Sequence, residues 1–204
     1  MISARADILQ RIDQAKFGMN PASPLRTYET STALSPTELL DLLEDRILDY
    51  KATFIRTSSV GLAIADIVAA HNLKTIVVPS ALPQDWLNAN LQTLVDANFD
   101  ADRLDQMDAV ITASEIAIAV TGTIILNHAK SDQGRRAISL VPDTHICIVK
   151  AASVVGTVVE AVRLLNPREH QTWISGPSAT SDIELERVEG VHGPRNLHVI
   201  LDLS

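Results

Sequence analysis

Three short stretches carry the residues best suited to chemistry. Ser175-Gly176-Pro177-Ser178-Ala179-Thr180-Ser181-Asp182 gathers hydroxyls around a Gly-Pro break, and His192-Gly193-Pro194-Arg195 sets an imidazole and a guanidinium on a stiff turn. Thr121-Gly122-Thr123 is a third tight turn. Hydroxyls and backbone N–H groups bind anions, and a glycine lets the backbone come close to a ligand. An arginine pairs with carboxylate or phosphate, and a histidine supplies acid–base chemistry near neutral pH. The first loop also reads as the lead into a short helix over residues 183–188, stopped by Gly190, with Ser181 or Asp182 as its cap. Such an N-terminus favours an anion, but a carboxylate at the cap competes for the same donors. On that loop alone a capped turn without ligand is an equal reading; the turn at 192–195 favours a site. The candidates are Thr121, Gly122, Thr123, Gly176, Ser178, Thr180, Gly193 and Arg195 for binding and His192 for proton transfer.

Strands must hold these loops. Residues 172–174 and 197–201 are short apolar runs that read as strands, so the loops are expected beyond the carboxyl ends of an open α/β sheet. Residues 2–17 have apolar positions at helical spacing. Residues 18–34 carry Pro21 and Pro24 without periodicity, a long loop or wrapping arm. Ser35-Pro36-Thr37-Glu38 marks a helix start running to about Tyr50. Residues 51–56 and 74–78 are strands around a helix at 60–71, a βαβ pattern whose turn Thr57-Ser58-Ser59 is either an N-cap or part of the site. Residues 81–105 are ambiguous. Residues 108–112 and 124–126 read as strands, 114–119 as one or two helical turns, 145–150 as a strand and 153–165 as a helix. Arg135 and Arg136, on a polar loop at 130–136, either clamp an anion or simply keep a helix start solvated.

The alternation of strands and helices predicts a three-layer α/β domain with a largely parallel sheet over residues 51–204, preceded by a helical leader and arm at 1–50. Composition agrees: 46% of residues are hydrophobic but only 3% aromatic, so aliphatic side chains fill the core. A net charge of −8 with no basic stripe argues against nucleic acid. Cys147 is alone in an apolar run, so the chain holds no intrachain disulfide, iron–sulfur cluster or structural zinc site of its own. The first residues lack the apolar core of a signal peptide. The apolar stretch 109–126 contains Glu115 and hydroxyl residues, which suits a buried strand region better than a membrane span. A cytoplasmic location is expected.

Several chemistries lack their motif. There is no G-x-G-x-x-G after a strand, no phosphate-binding loop of the G-x-x-x-x-G-K-[ST] form and no H-E-x-x-H. Gly176-Pro177-Ser178-Ala179-Thr180 lacks the closing glycine of a serine nucleophile elbow. What remains is a Ser, Thr, Gly, His and Arg pocket suited to a small anion.

Three ordered blocks resemble one family. Residues 111–123 (ITASEIAIAVTGT), 134–146 (GRRAISLVPDTHI) and Gly176-Pro177-Ser178 through Gly190-Val191-His192-Gly193-Pro194 look like the LUD, or lactate-utilisation, domain, in particular its small single-domain protein C (YkgG) type. The resemblance implies a fold like the glucosamine-phosphate isomerase, ribose-phosphate isomerase and CoA-transferase superfamily. It also implies work beside iron–sulfur partner proteins in cytoplasmic oxidation of L-lactate to pyruvate, on a ligand such as lactate, pyruvate or a phosphate-bearing anion. Clusters would then sit in the partners. One position departs: where the family usually has Glu before Thr-Gly-Thr, this chain has Val120, which cannot ionise. Two other readings stay open: a free-standing transferase or ligase of the CoA-transferase or formyltetrahydrofolate cyclo-ligase type, and a non-catalytic regulatory module, which Val120 favours.

Overall fold

A computed structural model describes residues 3–18, 27–28, 30–87, 91–181, 187–189 and 193–204, with backbone alone at 179–181 and 187–189. Helix α1 (Ala4–Lys16) begins at Ser3, whose hydroxyl accepts from the Ala6 N–H, and buries none of its side chains. Of the arm, the Thr32 N–H donates to Glu160, and Arg163 donates to the Thr30 carbonyl. Helix α2 (Pro36–Asp49) starts at the expected capping box: Ser35 Oγ accepts from the Glu38 N–H, and the Glu38 carboxylate accepts from the Ser35 N–H. Its inward face carries Leu43 and Ile47. Ser35→Ala is expected to lower stability by about 1 kcal/mol, read by urea denaturation; no change would mean that tertiary packing alone fixes this end.

The remaining elements follow in chain order. Strand β1 (Thr53–Thr57), helix α3 (Val60–Ala70), β2 (Ile76–Val78), a 3-10 turn (Gln84–Trp86), β3 (Thr93–Val95) and α4 (Ala101–Asp105) come first. Next are β4 (Ala109–Ala113), β5 (Ile116–Ile118), β6 (Thr123–Asn127), a 3-10 turn (Arg136–Ser139) and β7 (Thr144–Lys150). After a further 3-10 turn (Ala151–Ser153) stand β8 (Val154–Val155), α5 (Val158–Leu164), β9 (Gln171–Ile174), β10 (Ala179–Ser181), β11 (Arg187–Glu189) and β12 (Asn196–Asp202).

Six strands form one parallel sheet in the order β1-β12-β7-β4-β2-β3. The βαβ pattern of β1, α3 and β2 therefore joins strands of one sheet that are not neighbours; β12, β7 and β4 lie between them. A second sheet, β8-β5-β6-β9, is antiparallel at β5·β6 and β6·β9. The helical turns expected at 114–119 are instead strand β5. A short apolar run fits a buried strand or a buried helix equally, and pairing with β6 decides. The helix expected at 153–165 starts only after β8, where Thr157 and Glu160 form a second capping box. Of the short helix expected at 183–188, residues 183–186 lie outside the described residues, and 187–189 are strand β11, paired with β10.

Period-two alternation sends successive side chains of the large sheet to opposite layers. Ile76, Val78, Ile111, Ile146, Ile148 and Ile200 pack under α3 with Val60, Ile64, Ile67 and Trp86. On the other face Cys147, Val149, Val199 and Leu201 meet Leu43 and Ile47 of α2 together with Ala117, Ile124 and Leu126 of the small sheet. Val77 and Val110 meet Leu104, Met107 and Ile138 there. The outer face of the small sheet is covered by α5 through Ala161 on Ile116, Ile118 and Ile125. The expected three-layer α/β domain is thus present, with one flank shared between helices and a second sheet. Among the described residues no helix is long and apolar enough to cross a membrane.

Candidate functional site

A hollow of about 150 Å³ opens between the large and small sheets. Its floor is His145 near the start of β7, Leu197 near the start of β12, and Ser139; its walls are Leu140, β9 from Thr172 to Ile174, the loop Ser175–Ser178 and the turn Gly193-Pro194. The Ser178 N–H donates to the Pro194 carbonyl at 2.8 Å, which ties the two loops together. The site thus sits by the amino ends of β7 and β12, against the expectation of carboxyl ends. The reason is topological. β9 belongs to the antiparallel sheet, so the loop that follows it returns across the beginnings of the parallel strands.

The predicted residues divide. Gly176, Ser178 and Gly193 line the hollow. Thr121, Gly122 and Thr123 do not line it; they stand behind its wall. Thr123 Oγ1 is 2.7 Å from Thr121 Oγ1 and 2.9 Å from Ser175 Oγ, a chain of hydroxyls that anchors the loop. Tyr50, which ends α2, donates to the Thr121 carbonyl. A Cβ at Gly122 would lie 2.8 Å from Arg46 Cβ, so this turn docks directly on α2. Gly176 has φ +92° and packs in the same way on Tyr50. Thr180 lies on β10, where only the backbone is described, and His192 lies outside the described residues.

Arg195 is not brought to the hollow. It makes a bidentate pair with Asp143 and lines a different depression beside His71, Asp105 and Asp108. Arg135 is likewise engaged, donating to both oxygens of Asp96 at 2.6 and 2.9 Å and to the Phe99 carbonyl. That guanidinium holds the Asp96 carboxyl below its usual range. Ser58 and Ser59 of the Thr57–Ser59 turn line a third depression with Asp85 and Asp202, and Ser59 makes no side-chain cap for α3. Val120 is half exposed, its N–H donating to the Gly156 carbonyl, while Glu115 accepts from Gln133.

His145, which the sequence offers only as the first residue of a strand, lines the floor of the hollow. Its ring is 1% exposed, and Nε2 lies 2.8 Å from Thr112 Oγ1 on β4. Burial pushes its pKa down to about 4, so the ring is neutral at physiological pH. Cys147, one register step along, is pushed up to about 12 by burial and stays a thiol. Thr172 was also missed. The Gly134 carbonyl can only accept, so His128 Nδ1 carries the proton at 2.8 Å and Nε2 accepts from Thr172 Oγ1 at 2.7 Å. That bond aims the Thr172 proton away from the hollow and leaves its oxygen as an acceptor. The signal for His145 was present in the sequence as the alternation His145-Cys147-Val149, which puts all three on one face of β7.

Chemically the described lining is uncharged and more apolar than polar: three serines, a threonine and a neutral imidazole among Leu, Ile, Trp and Pro side chains. It can orient a small oxygen-bearing molecule by hydrogen bonds. Among the described residues no cluster of three or more His, Cys, Asp or Glu is placed to hold a metal.

The sequence model of the LUD domain matches residues 38–201. A protein of Deinococcus radiodurans named lactate utilization protein C is 45% identical over 97% of this chain and 95% of its own length. Proteins of the same name from Anoxybacillus flavithermus (31% identity, 78% of each chain) and Bacillus subtilis (29% identity, 85% and 82%) also match. A crystal structure of a DUF162 family protein from Deinococcus radiodurans superposes with a TM-score of 0.71 at 41% identity, covering 83% of this chain and 99% of that one.

Proposed function

The chain belongs to the LUD domain family, and from that premise we propose that it serves in lactate utilisation. It acts in the cytoplasm, binding a small carboxylic acid (lactate or pyruvate) in the hollow between the two sheets. Iron–sulfur proteins work beside it in the oxidation of L-lactate to pyruvate. The observation that carries this reading is the 45% identity over 97% of the chain to a protein named for lactate utilisation. The hollow supports it by size and lining: about 150 Å³ bounded by hydroxyls and one imidazole suits a few-atom acid and not a nucleotide. The one cysteine here is buried and held as a thiol, which supports placing the clusters in the partners. Deleting the gene is expected to abolish or severely slow growth on L-lactate as carbon source and to leave growth on glucose intact. Undiminished growth on L-lactate would remove the proposal.

A further inference from the structure

Arg195 and Arg135 are engaged by Asp143 and Asp96, and among the described residues that line the hollow every group able to recognise a ligand is uncharged. His145 is the polar group most deeply set in the hollow, and its position follows from the sheet. On β7 it shares a face with Cys147 and Val149; its register partner on β4 is Val110, and Thr112, the partner of Cys147, reaches it diagonally. Thr112 engages only one ring nitrogen. Among the described residues the other, Nδ1, has no hydrogen-bond partner, although the residue is buried and lines the cavity. Nδ1 is absent from the fully buried unpaired atoms among the described residues, so it is open to the hollow and free to meet a ligand atom.

We propose that His145 reads a neutral oxygen of the ligand, the 2-hydroxyl or 2-keto group of a small carboxylic acid, whose carboxylate lies outward at the rim formed by residues 175–178. The orientation follows from desolvation. Burying a carboxylate beside Leu140, Ile174 and Leu197, with no cation among the described lining residues, is far more expensive than burying a hydroxyl or ketone that is hydrogen-bonded. The rim is half-exposed and carries the hydroxyls of Ser175 and Ser178. The ring can serve either acid: its neutral form offers an acceptor to a hydroxyl in one tautomer and a donor to a ketone in the other. Thr112, able to donate or accept, permits both. His145 is thus a ligand-contacting residue that selects acids bearing oxygen at the second carbon.

This inference rests on the hollow being the ligand site, and its test is independent of growth. Full-length protein with ¹⁵N-labelled histidine is titrated with L-lactate, pyruvate and propionate, the last lacking the second-carbon oxygen. The ring nitrogens of His145 are followed by NMR, and their resonances are identified by their loss in His145→Gln. Lactate or pyruvate is expected to shift Nδ1 and propionate to leave it in place, with His145→Gln binding the oxygenated acids about tenfold more weakly. If His145→Gln does not fold, Thr112→Val identifies the resonances instead, since it removes the Nε2 partner and keeps the ring. Ring signals unmoved by both lactate and pyruvate, or moved equally by propionate, overturn the inference. A growth defect with a silent His145 removes the inference and keeps the lactate role; normal growth with a responsive His145 does the reverse.

Discussion

Between pH 6.5 and pH 4 the folded chain is expected to lose about 5 kcal/mol of stability, a large share of what a domain of this size has. The loss comes from two buried imidazoles. His145 and His198 are 1% and 4% exposed, and both have pKa values lowered to about 4. Burial is the cause for each, joined at His198 by the nearby His71 ring, 4.6 Å away. His198 Nδ1 is 2.7 Å from Thr53 Oγ1, and its buried Nε2 has no partner among the described residues. An unfolded histidine titrates near 6.5. The folded values are lower, so within this window the unfolded chain binds more protons and acid drives unfolding. The stability is fully present above about pH 6.5 and is lost as pH falls to the folded value, about half of it from each ring. Urea titrations should show a slope near 2.5 kcal/mol per pH unit around pH 5. His198→Gln, which keeps a donor and an acceptor for Thr53, should halve that slope. Asp96, Asp108 and Glu160 have lowered pKa values, so their contribution starts to be lost only below about pH 5, and the slope between pH 6.5 and 5 reports the rings. Stability that stays flat from pH 6.5 to 4.5 would show that the rings are solvated or charged in the native state.

Gly176→Ala should cost about 3 kcal/mol and abolish ligand binding in the hollow together with the loop's geometry. Two separate causes add. The backbone at Gly176 has φ +92°, a region that L side chains rarely adopt, and leaving it costs the loop its path from β9 to Ser178. The added methyl would also lie 2.6 Å from Tyr50 Cβ and 2.9 Å from Tyr50 Cγ, where either α2 or the loop must move. Neither can move freely: Tyr50 is tied to the Thr121 carbonyl, and Ser175 to Thr123. A double-mutant cycle separates the causes. In a Tyr50→Gly background the steric share should vanish and the backbone share remain, giving a coupling of about 1–2 kcal/mol by denaturation. Zero coupling would mean that the loop does not rest on α2.

The candidate site was partly legible because its loops announce themselves chemically. Gly176 and Gly193 interrupt apolar strands in a way only backbone demands explain, and Ser178 follows from the first of them. The same reasoning misplaced Arg195 and passed over His145 for one reason. A side chain's reach across the sheet depends on strand order, which residue spacing does not encode. Asp143 waits beside the start of β12 only because β7 is its neighbour. Thr112 meets His145 only because β4 is the neighbour on the other side.

The chain's own order of residues settled the α/β class, the aliphatic core, the capped start of α2 and the loops that carry hydroxyls. Each rests on local physics: periodicity, capping and the conformations open to glycine and proline. Tertiary structure decided that residues 116–118 are a strand, that a second sheet covers one flank, and that the hollow lies at the amino ends of β7 and β12. Those outcomes depend on pairing between segments far apart in sequence, where the free energy of burial is shared among partners and no single segment specifies it.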